Sequence, residues 1–217
     1  MTETRPATEA DAEAVLEVIT ACDIADVGEP DFTLDDVRDE WRDPEVDLAA
    51  DSFLVDAPGG GLAAYALCTS NAQDVYVHPE HLGRGIGSAL LPVVERRAGE
   101  QRLPLRQYIV STNGSAADLL GNNGYRPTHH YWRMTVDLAE PPAAPAAPAG
   151  VELRPFRTGT DDRAVHALVQ AAFSEAGISR ASLGVHGDNE RAARLYESVG
   201  MRQAWRHDRY EKASAAD

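Results

Sequence analysis

Val75-Tyr76-Val77-His78-Pro79-Glu80-His81-Leu82-Gly83-Arg84-Gly85-Ile86-Gly87-Ser88-Ala89-Leu90-Leu91 reads as an apolar strand, a proline stop, a glycine-rich loop and the start of an apolar-periodic helix. The order matters physically. A strand that runs through glycines into a helix exposes backbone N–H groups at the positive end of the helix dipole, a setting that suits a pyrophosphate. Glycine is expected at Gly83, Gly85 and Gly87, where any side chain would obstruct phosphate oxygens. An isolated G-x-G marks a turn and little more. Strand, proline, loop and helix in this succession make a much more specific signal.

On these residues the stretch resembles the acyl-CoA-binding motif of the GNAT family of N-acetyltransferases, with Val77-x-Pro79 and Gly85-Ile86-Gly87 matching its pattern. The family's Arg or Gln position falls on Leu82, which has no side-chain bond to offer a phosphate. The resemblance implies that Gly83, Arg84, Gly85, Ile86, Gly87 and Ser88 hold acetyl-CoA through their backbone, with Arg84 supplying some of the missing charge. It places oxyanion donors on the backbone of Val75, Tyr76 and Val77 and a further cofactor contact on Asn113. Asn113 reads equally as a plain helix cap.

Working outward, periodicity predicts a short strand at 3–6, a helix at 9–22 and a second helix over 34–42 capped by Thr33. Strands follow at 52–57, 62–69 and 73–78, then a helix at about 85–99, a strand near 106–111 and a helix at 115–123. Strands at 125–130 and 131–138 close the series. This order is that of the GNAT acyl-CoA N-acyltransferase fold, a mixed α/β class with a mixed central sheet flanked by helices, and the likeness covers nearly all of residues 1–138.

A Pro/Ala linker over 141–150 then divides the chain into residues 1–140 and 151–217. The halves repeat. Asn113 to Arg126 aligns without gaps to Asn189 to Arg202 at an offset of 76, whereas Arg5-Pro6 and Arg154-Pro155 lie 149 apart. Those offsets differ by 73 residues, so the second copy lacks the central strands and the cofactor loop. What remains reads as a strand at 151–156, a helix at 161–176, a strand at 181–185, a helix at 190–199 and a strand pair over 201–212. Such a partial GNAT-like unit must lean on the first half, pair with a second subunit as a homodimer, or stay partly disordered.

The resemblance also implies a Tyr acid in the helix after the fifth strand. That position is Leu120 in the first copy and Tyr196 in the second, so loop and acid fall on different copies. Tyr196 reads alternatively as a core aromatic, because Ala192, Leu195, Tyr196 and Val199 share one helical face. Asp74 and Tyr76, on or beside the strand facing the acyl group, are candidates for moving a proton through water. Glu29 and Asp31 are candidates for attracting an ammonium group. His129 and His130 are adjacent in a strand and point to opposite faces, so they cannot chelate one metal, and no metal site is expected.

Composition bounds the rest. A net charge of −15 argues against nucleic-acid binding and is compatible with a cationic small-molecule substrate. No apolar run reaches the ~20 residues that span a bilayer, and the start lacks a basic region followed by an apolar core. Cys22 and Cys68 form no disulfide pattern, so a cytoplasmic setting is expected. The expectation is an N-acetyltransferase using acetyl-CoA and a small-molecule or peptide amine. The alternative is a catalytically degenerate acyl-CoA-binding or scaffold protein. Ordering 67 residues costs on the order of 1–2 kcal/mol each, far more than six buried apolar side chains at about 1.5–3 kcal/mol return. The isolated segment 151–217 is therefore expected to show no cooperative thermal transition, and a sharp one would refute this account.

Overall fold

The computed structural model describes residues 3–137 and 180–213. The linker, the strand at 151–156 and the helix at 161–176 lie outside the described residues. Two compact units emerge, one from Met1–Thr128 with Asp208–Asp217, the other from His129–His207.

The first unit opens with α1 (Ala12–Val27) and α2 (Leu34–Trp41). Gly28, at φ 88°, ends α1 with its N–H on the Ile24 carbonyl, five residues beyond the predicted stop. Thr33 caps α2 as expected, its hydroxyl accepting from the Asp36 N–H. A short α3 (Leu48–Asp51), unforeseen in the sequence, leads into β1 (Ser52–Asp56), β2 (Leu62–Cys68) and β3 (Gln73–Val77), an antiparallel sheet in that order. The strand expected at 3–6 reduces to a single bridge between Arg5 and Leu54. Then come α4 (Ile86–Gln101), β4 (Leu105–Val110) and α5 (Gly114–Asn122).

Every residue of β2 is buried, and its alternation sorts two cores. Tyr65 and Leu67 join Val15, Val18, Ile19, Val37 and Trp41 beneath α1 and α2. Ala64 and Ala66 face Leu90, Leu91 and Val94 of α4, with Leu120 and Tyr125 closing that side. On β3, Val75 and Val77 pack on the α4 side, whereas Tyr76 packs on the α1/α2 side. Asp74, two residues from Tyr76, shares its face.

β5 (Arg126–Asp137), β6 (Arg180–His186), α6 (Glu190–Ser198) and β7 (Arg202–Lys212) complete the described chain. Two sequence expectations need correction here. The strand pairs at 125–138 and 201–212 are each one long strand, because neither stretch holds a Gly, Asn or Pro turn where it would have to reverse. The second four-stranded sheet runs β4-β7-β5-β6. Within the first unit, β4 and the start of β5 are joined by the end of β7, from the second copy. Within the second unit, β6 and the start of β7 are joined by the end of β5, from the first copy. Each unit thus closes its sheet with a strand segment from the other copy.

The borrowed segment is well tied in the first unit. The Lys212 ammonium meets the Glu95 carboxylate on α4 at 2.9 Å and lies 5.5 Å from the Tyr125 ring centre. Arg106 of β4 pairs with Glu211 at 3.2 Å, and Tyr210 packs into the α4 core. In the second unit, Met134, Val136, Val185 and Met201 form the buried core. Deleting residues 208–217 is expected to abolish the cooperative melt of the first unit, whereas Lys212→Ala costs about 1 kcal/mol. Chemical denaturation of both variants measures this.

Candidate active site

The loop after β3 is built to keep its N–H groups free. His78 donates its N–H to the Ala63 carbonyl on β2, and Pro79–His81 makes one tight 3-10 turn. Gly83 (φ 72°) and Gly85 (φ 77°) then adopt left-handed backbone, which any residue with a Cβ disfavours. Among the described residues, no N–H from Gly83 to Ser88 donates to another backbone group. Six donors are left without a backbone acceptor around the start of α4, where the dipole favours an anion.

The three glycines serve two purposes. At Gly83 and Gly85 a Cβ would meet nothing within 4 Å, so backbone conformation selects glycine there. At Gly87 a Cβ would lie 3.2 Å from Leu119 Cδ2, so packing of α4 selects it. Arg84 donates to the Glu80 carbonyl at 3.0 Å and steadies the loop. Leu82 is exposed, its side chain in solvent.

Behind the loop, β3 and β4 belong to separate sheets. The buried Gln73 bridges them, accepting from the Arg106 N–H at 2.9 Å and donating to the Pro104 carbonyl at 3.3 Å. Because the His78 N–H points to β2, strand alternation turns the Val75 and Val77 N–H groups to the side away from β2. The Tyr76 N–H faces β2 instead. The Cys22 thiol bonds the Val77 carbonyl at 3.3 Å, and burial pushes that thiol up to about 12, so it stays protonated.

The other face of β3 carries the titratable groups. Desolvation pushes Asp74 up to about 6. Glu40 of α2, desolvated and facing the Asp74 and Asp36 charges, rises to about 7. Tyr76 is raised well above the ordinary phenol by desolvation and by Asp74, Glu40 and Asp23, so it remains a neutral donor. Sequence reasoning named Asp74 and Tyr76 and missed Glu40. The available signal was its place beside Trp41 and three residues after Val37, on the face of α2 turned inward.

The remaining sequence candidates are placed as follows. Asn113 caps α5, its carbonyl accepting from the Ala116 N–H and its amide donating to Asp26 at 2.9 Å. Both ends of that side chain are engaged. Leu120 is buried against α4. Tyr196 packs with Met134, Val136 and Val185 in the second unit, as a helix-face aromatic does. Asp31 donates its N–H to Asp23, and Glu29 is half-buried in the α1–α2 connection. The His129 and His186 rings meet edge-on at 5.2 Å. Among the described residues, no group of three or more His, Cys, Asp or Glu is placed to hold a metal, and no helix is long and apolar enough to cross a membrane.

The family model for the acetyltransferase (GNAT) domain matches residues 50–127, the segment from the end of α3 through the loop to the start of β5. Over residues 50–127 the chain matches a GNAT acetyltransferase domain. Mycothiol acetyltransferase of Salinispora arenicola is 36% identical over 140 residues, covering 62% of this chain and 44% of that protein. The chain spans about half the length of the curated relatives it matches. A GCN5-related N-acetyltransferase from Sphaerobacter thermophilus, 25% identical with a TM-score of 0.76, covers 97% of this chain and 95% of its own. A tandem GNAT protein from the clavulanic acid biosynthesis pathway shares the fold at a TM-score of 0.70 and 14% identity, covering 99% of both chains.

The GNAT loop makes a sharp test. Gly85→Val combines left-handed strain of about 1–2 kcal/mol with a side chain among the free N–H groups. We expect a folded variant whose CoA affinity falls at least tenfold by calorimetry. Leu82→Arg should tighten binding.

Proposed function

We propose that the first unit is an acetyl-CoA-dependent N-acetyltransferase acting on a small-molecule amine. The observation that carries this is the run of six unbonded N–H groups from Gly83 to Ser88 at the start of α4, next to a strand with free donors and a pair of acids. In this reading the loop holds the pyrophosphate of CoA. The Val75 and Val77 N–H groups stabilise the oxyanion that develops on the thioester carbonyl. Asp74 takes a proton from the acceptor ammonium, freeing the lone pair for attack. Tyr76, held neutral by desolvation and the acids around it, supplies a proton to the departing sulfur.

Asn113 is left out of the proposed contacts, since capping and Asp26 use its amide. Tyr196 is left out of the first unit's chemistry because it packs in the second. The relatives' names make a small-molecule amine the acceptor class to try first. A second reading, an acyl-CoA-binding protein without turnover, is favoured by one observation: the family's acid position is filled by the buried Leu120.

Two measurements decide between them. Calorimetry with acetyl-CoA is expected to show binding, and thiol release with a panel of aliphatic amines is expected to show turnover that falls as pH drops through about 6, where Asp74 gains its proton. Binding without thiol release across the panel would establish the non-catalytic reading.

A further inference from the structure

We infer that Gln73 is a positioning residue, a side-chain spacer that holds β3 and β4 apart and so sets the gap through which the thioester arm of CoA reaches the Val75 and Val77 N–H groups. The inference rests on the acetyl-CoA reading and names the residue of this chain that fits the site to that arm. The Gln73 side-chain carbonyl accepts from the Arg106 N–H at 2.9 Å, and its amide donates to the Pro104 carbonyl at 3.3 Å. Those partners flank Leu105, the first residue of β4. A residue in a parallel ladder bonds in the same way, accepting from the N–H after the residue opposite it and donating to the carbonyl before it. Gln73 reproduces that bridge with its side chain, three carbons out from the backbone. β3 and β4 accordingly belong to separate sheets, and here they stand further apart than the ~4.8 Å of neighbouring strands.

The amide is committed to this bridge. Gln73 is fully buried, and its orientation is fixed because an N–H must meet its oxygen and a carbonyl its nitrogen. The far ends of the same strands are tied to α1 instead. The Cys22 thiol donates to the Val77 carbonyl at 3.3 Å. One turn later, the Asp26 carboxylate takes the Asn113 amide and the Asp26 carbonyl takes the Thr112 hydroxyl, each at 2.9 Å. Positions one turn apart lie about 6 Å from each other along a helix. Gln73 therefore spaces the two strands at their starts, and α1 spaces them at their ends.

β3 and β4 are each the outer strand of their sheet, so the bridge joins two edges. Beyond the buried Gln73, residues Asp74 to Val77 are only half-buried. Strand edges suit an extended chain that carries amides of its own. The arm of CoA is such a chain, with the thioester at its end. Ladder spacing would exclude it. Without the spacer the Val75 and Val77 N–H groups would lose their alignment on the thioester carbonyl.

The test compares CoA with ADP, which shares the pyrophosphate and lacks the arm, by calorimetry on the full chain. Gln73→Met keeps the side-chain length and loses both bonds. It is expected to bind CoA at least tenfold more weakly than wild type and ADP within twofold, and Gln73→Glu, which keeps the acceptor, should fall between. Equal losses for the two ligands, or no loss for either, in a variant that still melts cooperatively overturn the inference. Should Gln73→Met not melt cooperatively, nitrogen-15 labelling of glutamine in the wild type decides. The Gln73 side-chain amide signal should shift with CoA and not with ADP, and a signal that the two ligands move alike, or leave in place, overturns the inference. If the wild type binds neither ligand, the acetyl-CoA reading fails by itself. Amide exchange at Arg106 then tests the spacer, protection that Gln73→Met removes supporting it and protection that survives overturning it.

Discussion

Close approach of α4 to the sheet is the constraint on which the site depends. The first turn of α4 begins against the end of β3, where a Cβ at Gly87 would lie 3.7 Å from Val77 Cγ2. Two sets of small residues permit this. Ala64 and Ala66 leave room on β2 for Leu90, Leu91 and Val94, and Gly87 leaves none to spare against Leu119. The far end of the helix is fixed by a buried carboxylate. Asp51 accepts from Arg97 Nε at 2.7 Å and Gln101 Nε2 at 2.8 Å. Such a pair adds modest net stability when intact, but its loss strands a buried charge, so it holds position more than it adds energy. Lys212 adds a third restraint through Glu95, from the last strand of the chain.

That last restraint gives residues 208–212 a physical role in the first unit. A strand beside β4 is needed to complete the first unit's sheet, and the chain supplies it from residues 208–212. The first copy's own last strand continues into the second unit, where Tyr131 to Asp137 pair with His186 to Arg180. Losing the tail would expose an edge on the unit that carries the loop. The end of β7 is therefore a structural part of the unit that carries the glycine-rich loop.

How legible this was in the sequence depends on range. Local signals carried well: the Pro79 stop, the glycines before α4, Thr33 before α2 and the apolar run of β2 all act within a few residues. The first two glycines of the loop carry a second reason that the sequence does not show, the left-handed φ at Gly83 and Gly85. The strand exchange was illegible because pairing partners more than 40 residues apart leave no local mark. The missing turn residues between His129 and Trp132 were the one hint. Glu40 was passed over although buried Val37 and Trp41 mark its flank of α2 as turned inward.

The separation of loop and acid between the copies has a packing explanation. Leu120 is 3% exposed and lies among Leu90, Leu91, Val94 and Tyr125. Its neighbour Tyr125 already holds a buried hydroxyl without a hydrogen-bond partner. A tyrosine at 120 would add a second hydroxyl to that apolar side, at the cost of desolvating it. In α6 the corresponding Tyr196 packs among Met134, Val136 and Val185 and is only half-buried, so its hydroxyl is not forced into such a setting. If the first unit turns over, its acid has to come from outside α5. Tyr76 is the phenol that lies on the strand leading into the loop, and desolvation, with the negative charges around it, keeps its proton on.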